Sequence, residues 1–377
     1  MSVPPPPNQW GSQPPTGGQP AGAPQWGPPT GGQPGGIPQW GPPPGPPRRR
    51  GGKGKWIFGG IVLLAVIAVT VVITVFVVGD SGGGSPTPTN GNDSDFASAN
   101  DKGPVGIITE DPTCAAFNRI ANAFTAAETK AGWPNRDSSV PATAWTADQR
   151  SMYVAVSSAM RNAADQTGNL VKVTPNRVVR EMYEQFIAYA RAFIEKIAQY
   201  QPNDNHLAAV VDGLESALVD ICGAITYGSA ATQAPFVPEA PSPSQISHPG
   251  DPANPRIFMA DGDPVCVQWL STYGQFDADT ADWRRIDPNI PATEWTPDQK
   301  AAVVAVAPVM TAFADKAEQL GQSSKNPTFE DFATLSAQYR RAYVSALPIY
   351  TPADNYLVTS STFIAMSINP ACSAAKG

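Results

Sequence analysis

The sequence predicts an all-α protein in which two tandem, duplicated four-helix-bundle-like domains follow a single transmembrane helix and a disordered Pro/Gly-rich N-terminal tail. Three observations carry this. The segment Ala131–Val156 recurs as Ala281–Val306 at a constant offset of 150 positions. Each copy reads as a series of capped amphipathic helices, and Trp56–Val78 is an unbroken apolar run without a charged residue.

Residues 1–55 are read as a disordered cytoplasmic tail. Seventeen of the 41 prolines occur by Pro47, and a degenerate QWG repeat places Trp10, Trp26 and Trp40 among them. Proline removes backbone donors and favours extended polyproline II, so this stretch is expected to be a low-complexity spacer. The sharper reading makes residues 1–47 an arm for a cytoplasmic partner, with the tryptophans as stickers.

Residues 56–78 have the length of a membrane span, since a helix rising about 1.5 Å per residue crosses a hydrocarbon core of about 30 Å. Arg48, Arg49, Arg50, Lys53 and Lys55 precede the run, and Gly79 and Asp80 follow it. The positive-inside tendency then gives a single-pass plasma-membrane protein with a cytoplasmic N-terminus and extracytoplasmic C-terminal domains. The run is too long for a cleaved signal peptide and ends without an A-x-A pattern. Residues 79–110, rich in Gly, Ser, Asn and Asp, read as a flexible linker. None of the 32 acidic residues precedes Asp80, so the larger part of this chain of net charge −7 is acidic. An acidic surface excludes nucleic acid as the main partner.

The duplication defines the rest. Trp133 stands over Trp283, Trp145-Thr146 over Trp295-Thr296, Tyr189 over Tyr339, Asp204-Asn205 over Asp354-Asn355 and Cys222 over Cys372. After a two-residue adjustment Asp111-Pro112-x-Cys114 matches Asp263-Pro264-x-Cys266. The expected repeat domains are 111–226 and 263–376, joined by a Pro-rich linker over 227–262. Two long copies make a tandem pair rather than a solenoid.

In the first copy, Asp111 as cap and Pro112 at the first helical position open a helix with Phe117, Ile120, Ala121 and Phe124 on one face. It ends near Gly132. Thr146-x-x-Gln149 is a capping box, repeated as Thr296-Pro297-Asp298-Gln299, and starts a second helix burying Met152, Ala155, Val156, Ala159 and Met160. A third helix is expected from Thr174-Pro175, with Met182, Phe186, Tyr189, Phe193 and Ile197 at helical spacing. Gln201-Pro202-Asn203-Asp204 stops it and caps a fourth that carries Leu207, Val210, Val211, Leu214, Leu218 and Ile221. The last helix of the second copy, interrupted by Ser, Thr and Pro370, is expected to be shorter or bent.

Four cysteines admit three connectivities. In an up-and-down bundle the start of the first helix and the end of the fourth lie at the same end. That geometry favours Cys114–Cys222 and Cys266–Cys372 as intradomain disulfides in an oxidising compartment. A metal site is disfavoured, because there is no Cys-x-x-Cys and no histidine pair. His206 and His248 do not recur in the other copy, no G-x-S-x-G elbow or phosphate-cradling glycine loop occurs, and no catalytic residue or cofactor is assigned. Asp148 and Asp298 sit in a first helical turn, where the dipole favours a carboxylate. Trp133, Trp145, Trp283 and Trp295 are the candidate ligand or partner contacts, weighed against a role in plugging the bundle ends.

The QWG/PPTGGQP tail, the RRR-GGKGKW junction, the single anchor and the alanine-rich helical remainder resemble the proline-rich single-pass membrane proteins of mycobacteria and related actinobacteria. That resemblance implies a cell-envelope location and supplies no catalytic residue. The function expected is a non-enzymatic envelope protein, integral to the membrane, whose tandem helical domains bind or scaffold a protein partner. The alternative is a receptor or carrier for an apolar small ligand such as an envelope lipid.

Overall fold

The structure, a computed structural model, describes residues 95–375. The tail, the apolar run Trp56–Val78 and the first part of the 79–110 linker lie outside the described residues. Among the described residues no helix is long and apolar enough to cross a membrane. The single-pass plasma-membrane reading, with its cytoplasmic and extracytoplasmic sides, is therefore corrected: no described helix supports it.

The described residues form nine α-helices and no strand. The first copy holds α1 (Cys114–Ala131), α2 (Ala147–Thr167), α3 (Arg177–Lys196) and α4 (Asn205–Thr226). A short α5 (Ser229–Gln233) follows, and the second copy repeats the pattern as α6 (Val265–Asp279), α7 (Pro297–Ser323), α8 (Pro327–Ala346) and α9 (Asn355–Ala374). Within each copy consecutive helices pack together and the fourth closes back on the first, which makes each a four-helix bundle.

The local rules place most boundaries. Thr146 with Gln149 and Thr296 with Gln299 form full capping boxes at the starts of α2 and α7. Gly132 closes α1 in the left-handed conformation at φ 79°, which a side chain would strain. Two boundaries differ from expectation. Asp111 is not the cap of α1, which starts at Cys114; its Oδ1 accepts from the Thr113 amide at 2.8 Å and its Oδ2 from the Thr174 hydroxyl at 2.5 Å. Asp263 does the same in the second copy, accepting from the Val265 amide at 2.8 Å and the Ser324 hydroxyl at 2.6 Å. This carboxylate latches the start of each first helix to the start of the third. Thr174 being so engaged, α3 starts at Arg177, capped by Asn176.

On α2 the buried face is Tyr153, Val156 and Met160, whereas Ala155 is exposed. Helix α9 runs for 20 residues through Pro370, against 22 for α4, so its proline shortens it little.

The two copies share one apolar core. Helices α4 and α9 lie antiparallel, Gly213 against Ser367 and Gly223 against Tyr356. The approach needs glycine: a Cβ on Gly213 would stand 3.1 Å from the Ser367 amide nitrogen, and one on Gly223 would stand 2.9 Å from Tyr356 Cγ. The α3 and α8 helices also meet. Equivalent helices thus face each other, the pattern of an approximate twofold axis relating the copies.

Neither expected linker is free where it is described. Residues 95–110 pack on the body, burying Phe96, Val105 and Ile108, and the Ile108 carbonyl accepts from Tyr339 Oη of the second copy at 3.4 Å. Residues 227–262 form a strap rather than a flexible tether. Gln185 of α3 donates to the Arg256 carbonyl at 3.0 Å and accepts from the Phe258 amide at 2.9 Å, and Met259 is buried.

Candidate functional site

The four tryptophans singled out by the sequence lie in the loops between the first and second helices of each copy. All are nearly buried, Trp133 at 2% exposure, Trp145 and Trp295 at 8% and Trp283 at 9%. Trp145 stacks on Tyr153 with ring centroids 3.9 Å apart and donates to the Val140 carbonyl at 2.9 Å. Trp295 repeats this on Tyr350 at 5.5 Å, donating to the Ile290 carbonyl at 3.0 Å. Trp133 packs edge-on against Tyr153 and Phe193 beneath the Arg136 guanidinium, and Trp283 donates to Tyr343 Oη at 3.2 Å. The loops are pinned from beside the third helix as well, Tyr200 Oη donating to Ser138 and Tyr350 Oη to Pro288. The indoles therefore pack into the bundle ends with little surface left exposed.

Cys114 is bonded to Cys222 and Cys266 to Cys372, with Cα atoms 5.4 Å apart in both. Each bridge ties the first helix to the fourth at one end of its bundle. Among the described residues no group of three or more His, Cys, Asp or Glu could hold a metal ion. His206 is half-buried at the start of α4, where burial lowers its pKa, and His248 lies in the strap.

The charged chemistry is concentrated where the copies meet. Arg177 at the start of α3 is 2% exposed and pairs bidentately with Asp331 of α8, Nε to Oδ2 at 2.7 Å and Nη2 to Oδ1 at 3.1 Å. Its Nη1 donates to the carbonyls of Asp101 and Gly103 in the N-terminal arm. Arg180, one turn on, reaches Glu181 and Glu184 at 3.3 Å and the Ser247 carbonyl at 2.8 Å. Glu181 and Asp331 occupy equivalent positions in the two copies and stand close enough for the charge of one to act on the other. Burial, reinforced by the Asp331 charge, pushes the Glu181 carboxyl well above its ordinary value. On the other side Glu330 accepts from the Ser244 amide at 2.8 Å and from its hydroxyl, anchoring the strap.

This cluster was not singled out by the sequence, yet a signal is there. Where the first copy has Arg177 and Arg180 the second has Pro327 and Glu330. The copies diverge in charge at the positions through which they meet. Arg191 and Arg341, equivalent residues of the third helices, reach Asp165 at 3.6 Å and Glu318 at 2.6 Å respectively.

Two recesses flank the cluster. A polar groove of about 540 Å³ runs between the strap and α3 and α8, lined among others by Glu184, Gln185, Asp251, Arg256 and Lys325. A smaller cavity of about 150 Å³ lies between the arm, α3 and the strap. The outer faces of the second helices carry a different feature. Val154 on α2 and Val304 on α7, equivalent residues, are 57% and 73% exposed. They sit in the uncharged stretches Ser151–Met160 and Ala301–Ala314.

The fold and these features define a duplicated, disulfide-bonded, all-α protein whose copies are joined by a buried ionic cluster. Residues 96–376 match the family described as Mycobacterial ESX-1 associated protein, and the chain belongs to that family. It is 44% identical over 335 residues to an uncharacterized protein of Mycolicibacterium smegmatis (strain MKD8), covering 88% of each chain. No solved structure matches. The family match begins at Phe96, where the described body begins.

Proposed function

We propose that this chain is a non-enzymatic, secretion-related scaffold that binds a protein partner in the ESX-1-associated setting its family description names. The observation that carries the reading is the pair of exposed valines, Val154 and Val304, at the same register of both copies within the stretches Ser151–Met160 and Ala301–Ala314, which carry no charged residue. Large apolar side chains scattered singly need no explanation, but the same exposure repeated at equivalent positions of both copies fits a bivalent docking surface. The carrier alternative has less behind it, since aromatic side chains fill each bundle.

The test is site-specific photocrosslinking of the full chain in a mycobacterial host, with the crosslinker at position 154, 304 or, as control, exposed position 195 on α3. Adducts with one ESX-1-associated protein at 154 and 304, absent at 195 and abolished by Val154→Lys with Val304→Lys, are expected. Equal labelling at all three positions, or adducts indifferent to the lysines, would reject the docking surface.

A further inference from the structure

The first part of the strap, residues 237–243 with the sequence VPEAPSP, is held extended by its own covalent chemistry. Pro238, Pro241 and Pro243 have φ fixed near about −65° by their rings, and Val237, Ala240 and Ser242 each precede a proline, which steers them away from the helical region. Glu239 alone escapes both constraints. Val237 stands at φ −95° and ψ 125°, and residues 238–243 form neither helix, strand nor turn. Such a segment is a polyproline II helix, whose side chains repeat every three residues. Burial follows that period. Ala240 is 5% exposed with Val237 and Pro243 half-buried on the same side, whereas Pro238, Glu239, Pro241 and Ser242 are exposed.

Both ends of the segment are fixed to the body. The turn Ala234–Phe236 packs on α8 just before it, and just after it Ser244 donates its amide and its hydroxyl to the Glu330 carboxylate of α8. The entropy of ordering a proline-rich ligand is therefore lost on folding and not on binding. Phe236 leads into the ridge with its side chain 69% exposed. A tether needs extension only; an outward Pro-x-x-Pro ridge led by an exposed phenylalanine is what an aromatic-lined groove reads. We propose that residues 236–243 are a preformed docking ridge for a protein domain with an aromatic-lined polyproline groove, Phe236 filling a flanking pocket and Glu239 facing a basic residue on the rim of that groove. The ridge is separate from Val154 and Val304, and its assignment does not rest on the docking surface of α2 and α7.

Photocrosslinking of the full chain in mycobacterial lysate tests it, with the crosslinker at position 239 or, as control, at exposed position 195 on α3. Excess decaproline serves as the polyproline II competitor and a Gly-Ser decapeptide as its control. The expected result is an adduct with one other protein that forms at 239 and not at 195, falls about tenfold with decaproline and with Pro238→Ala plus Pro241→Ala, and is indifferent to the Gly-Ser peptide. Phe236→Ser should weaken it to a similar extent. Both substituted prolines are exposed, so the double variant should keep the parental circular dichroism and melting temperature, which separates loss of docking from loss of the fold. No adduct specific to position 239, an adduct indifferent to decaproline or to the two alanines, or an adduct between two copies of this chain overturns it.

Discussion

Arg177 shows how much a single residue can hold. Its guanidinium joins the copies through Asp331 and ties down the arm through Asp101 and Gly103. A buried ion pair is not in itself strong stabilisation, because desolvation offsets most of the attraction; removing one partner is what hurts, since the other charge stays buried. Arg177→Ala should therefore destabilise the protein by about 3–5 kcal/mol in denaturant unfolding. The double variant Arg177→Met with Asp331→Leu should recover most of that loss. A single variant as stable as the parent would show that the pair is solvated. The duplication makes the equivalent position, Pro327, unable to substitute for Arg177, so the bond is heterologous although the helices that make it are copies.

At the scale of the element, α4 carries a stripe of carboxyls that its packing leaves poorly hydrated. Burial raises Asp212 to about 6, and Glu215 and Asp220 to about 7. Glu128 of α1 is pushed up as well, by burial and then by the charges of Asp212 and Glu215. The groups facing the stripe are Arg136, which favours the charged form of Asp212, the Thr125 hydroxyl on Glu215 at 2.9 Å, and Thr359 on Asp220. These carboxyls bind protons more tightly folded than unfolded. Their contribution is thus fully present below the unfolded values near 4 and is lost as the pH rises through the folded values of about 6 to 7. The melting temperature should fall by several degrees between about pH 5 and about pH 8, and Glu215→Gln with Asp220→Asn should flatten that slope. A melting temperature rising across this window would contradict the account. The stripe was not legible in the sequence, since Asp212, Glu215 and Asp220 look like the ordinary polar side of an amphipathic helix. Packing takes water from them: α1 lies over Glu215 and Asp212, and α9 over Asp220.

For the whole molecule, the question is whether two bundles unfold separately or together. They share a core, the α4–α9 seam, the arm and the strap, so unfolding is expected to be one cooperative transition. Cys114→Ser with Cys222→Ser opens a loop spanning 108 positions in the first copy only. It should cost about 2–5 kcal/mol and lower that single transition. Two separate transitions in calorimetry, one at the parental temperature, would mean the bundles are independent.

The sequence by itself determined the helices, their capping boxes, the duplication and, through the placement of cysteines at the two ends of each copy, the geometry of the bridges. These are local or periodic properties, written in the spacing of apolar residues and in side chains that satisfy nearby backbone donors. The tertiary structure alone decided how the copies sit on each other. Helix α3 reads as amphipathic, yet Arg177 to Ala190 are buried on every side, because its polar face meets the strap, the arm and α8. Residues 95–110 and 227–262 read as linkers from composition, but chain composition cannot register a carbonyl accepting from Tyr339 or a glutamine gripping the strap. Pairing between distant segments depends on shape and on which charges coincide after packing, and neither has a period along the chain.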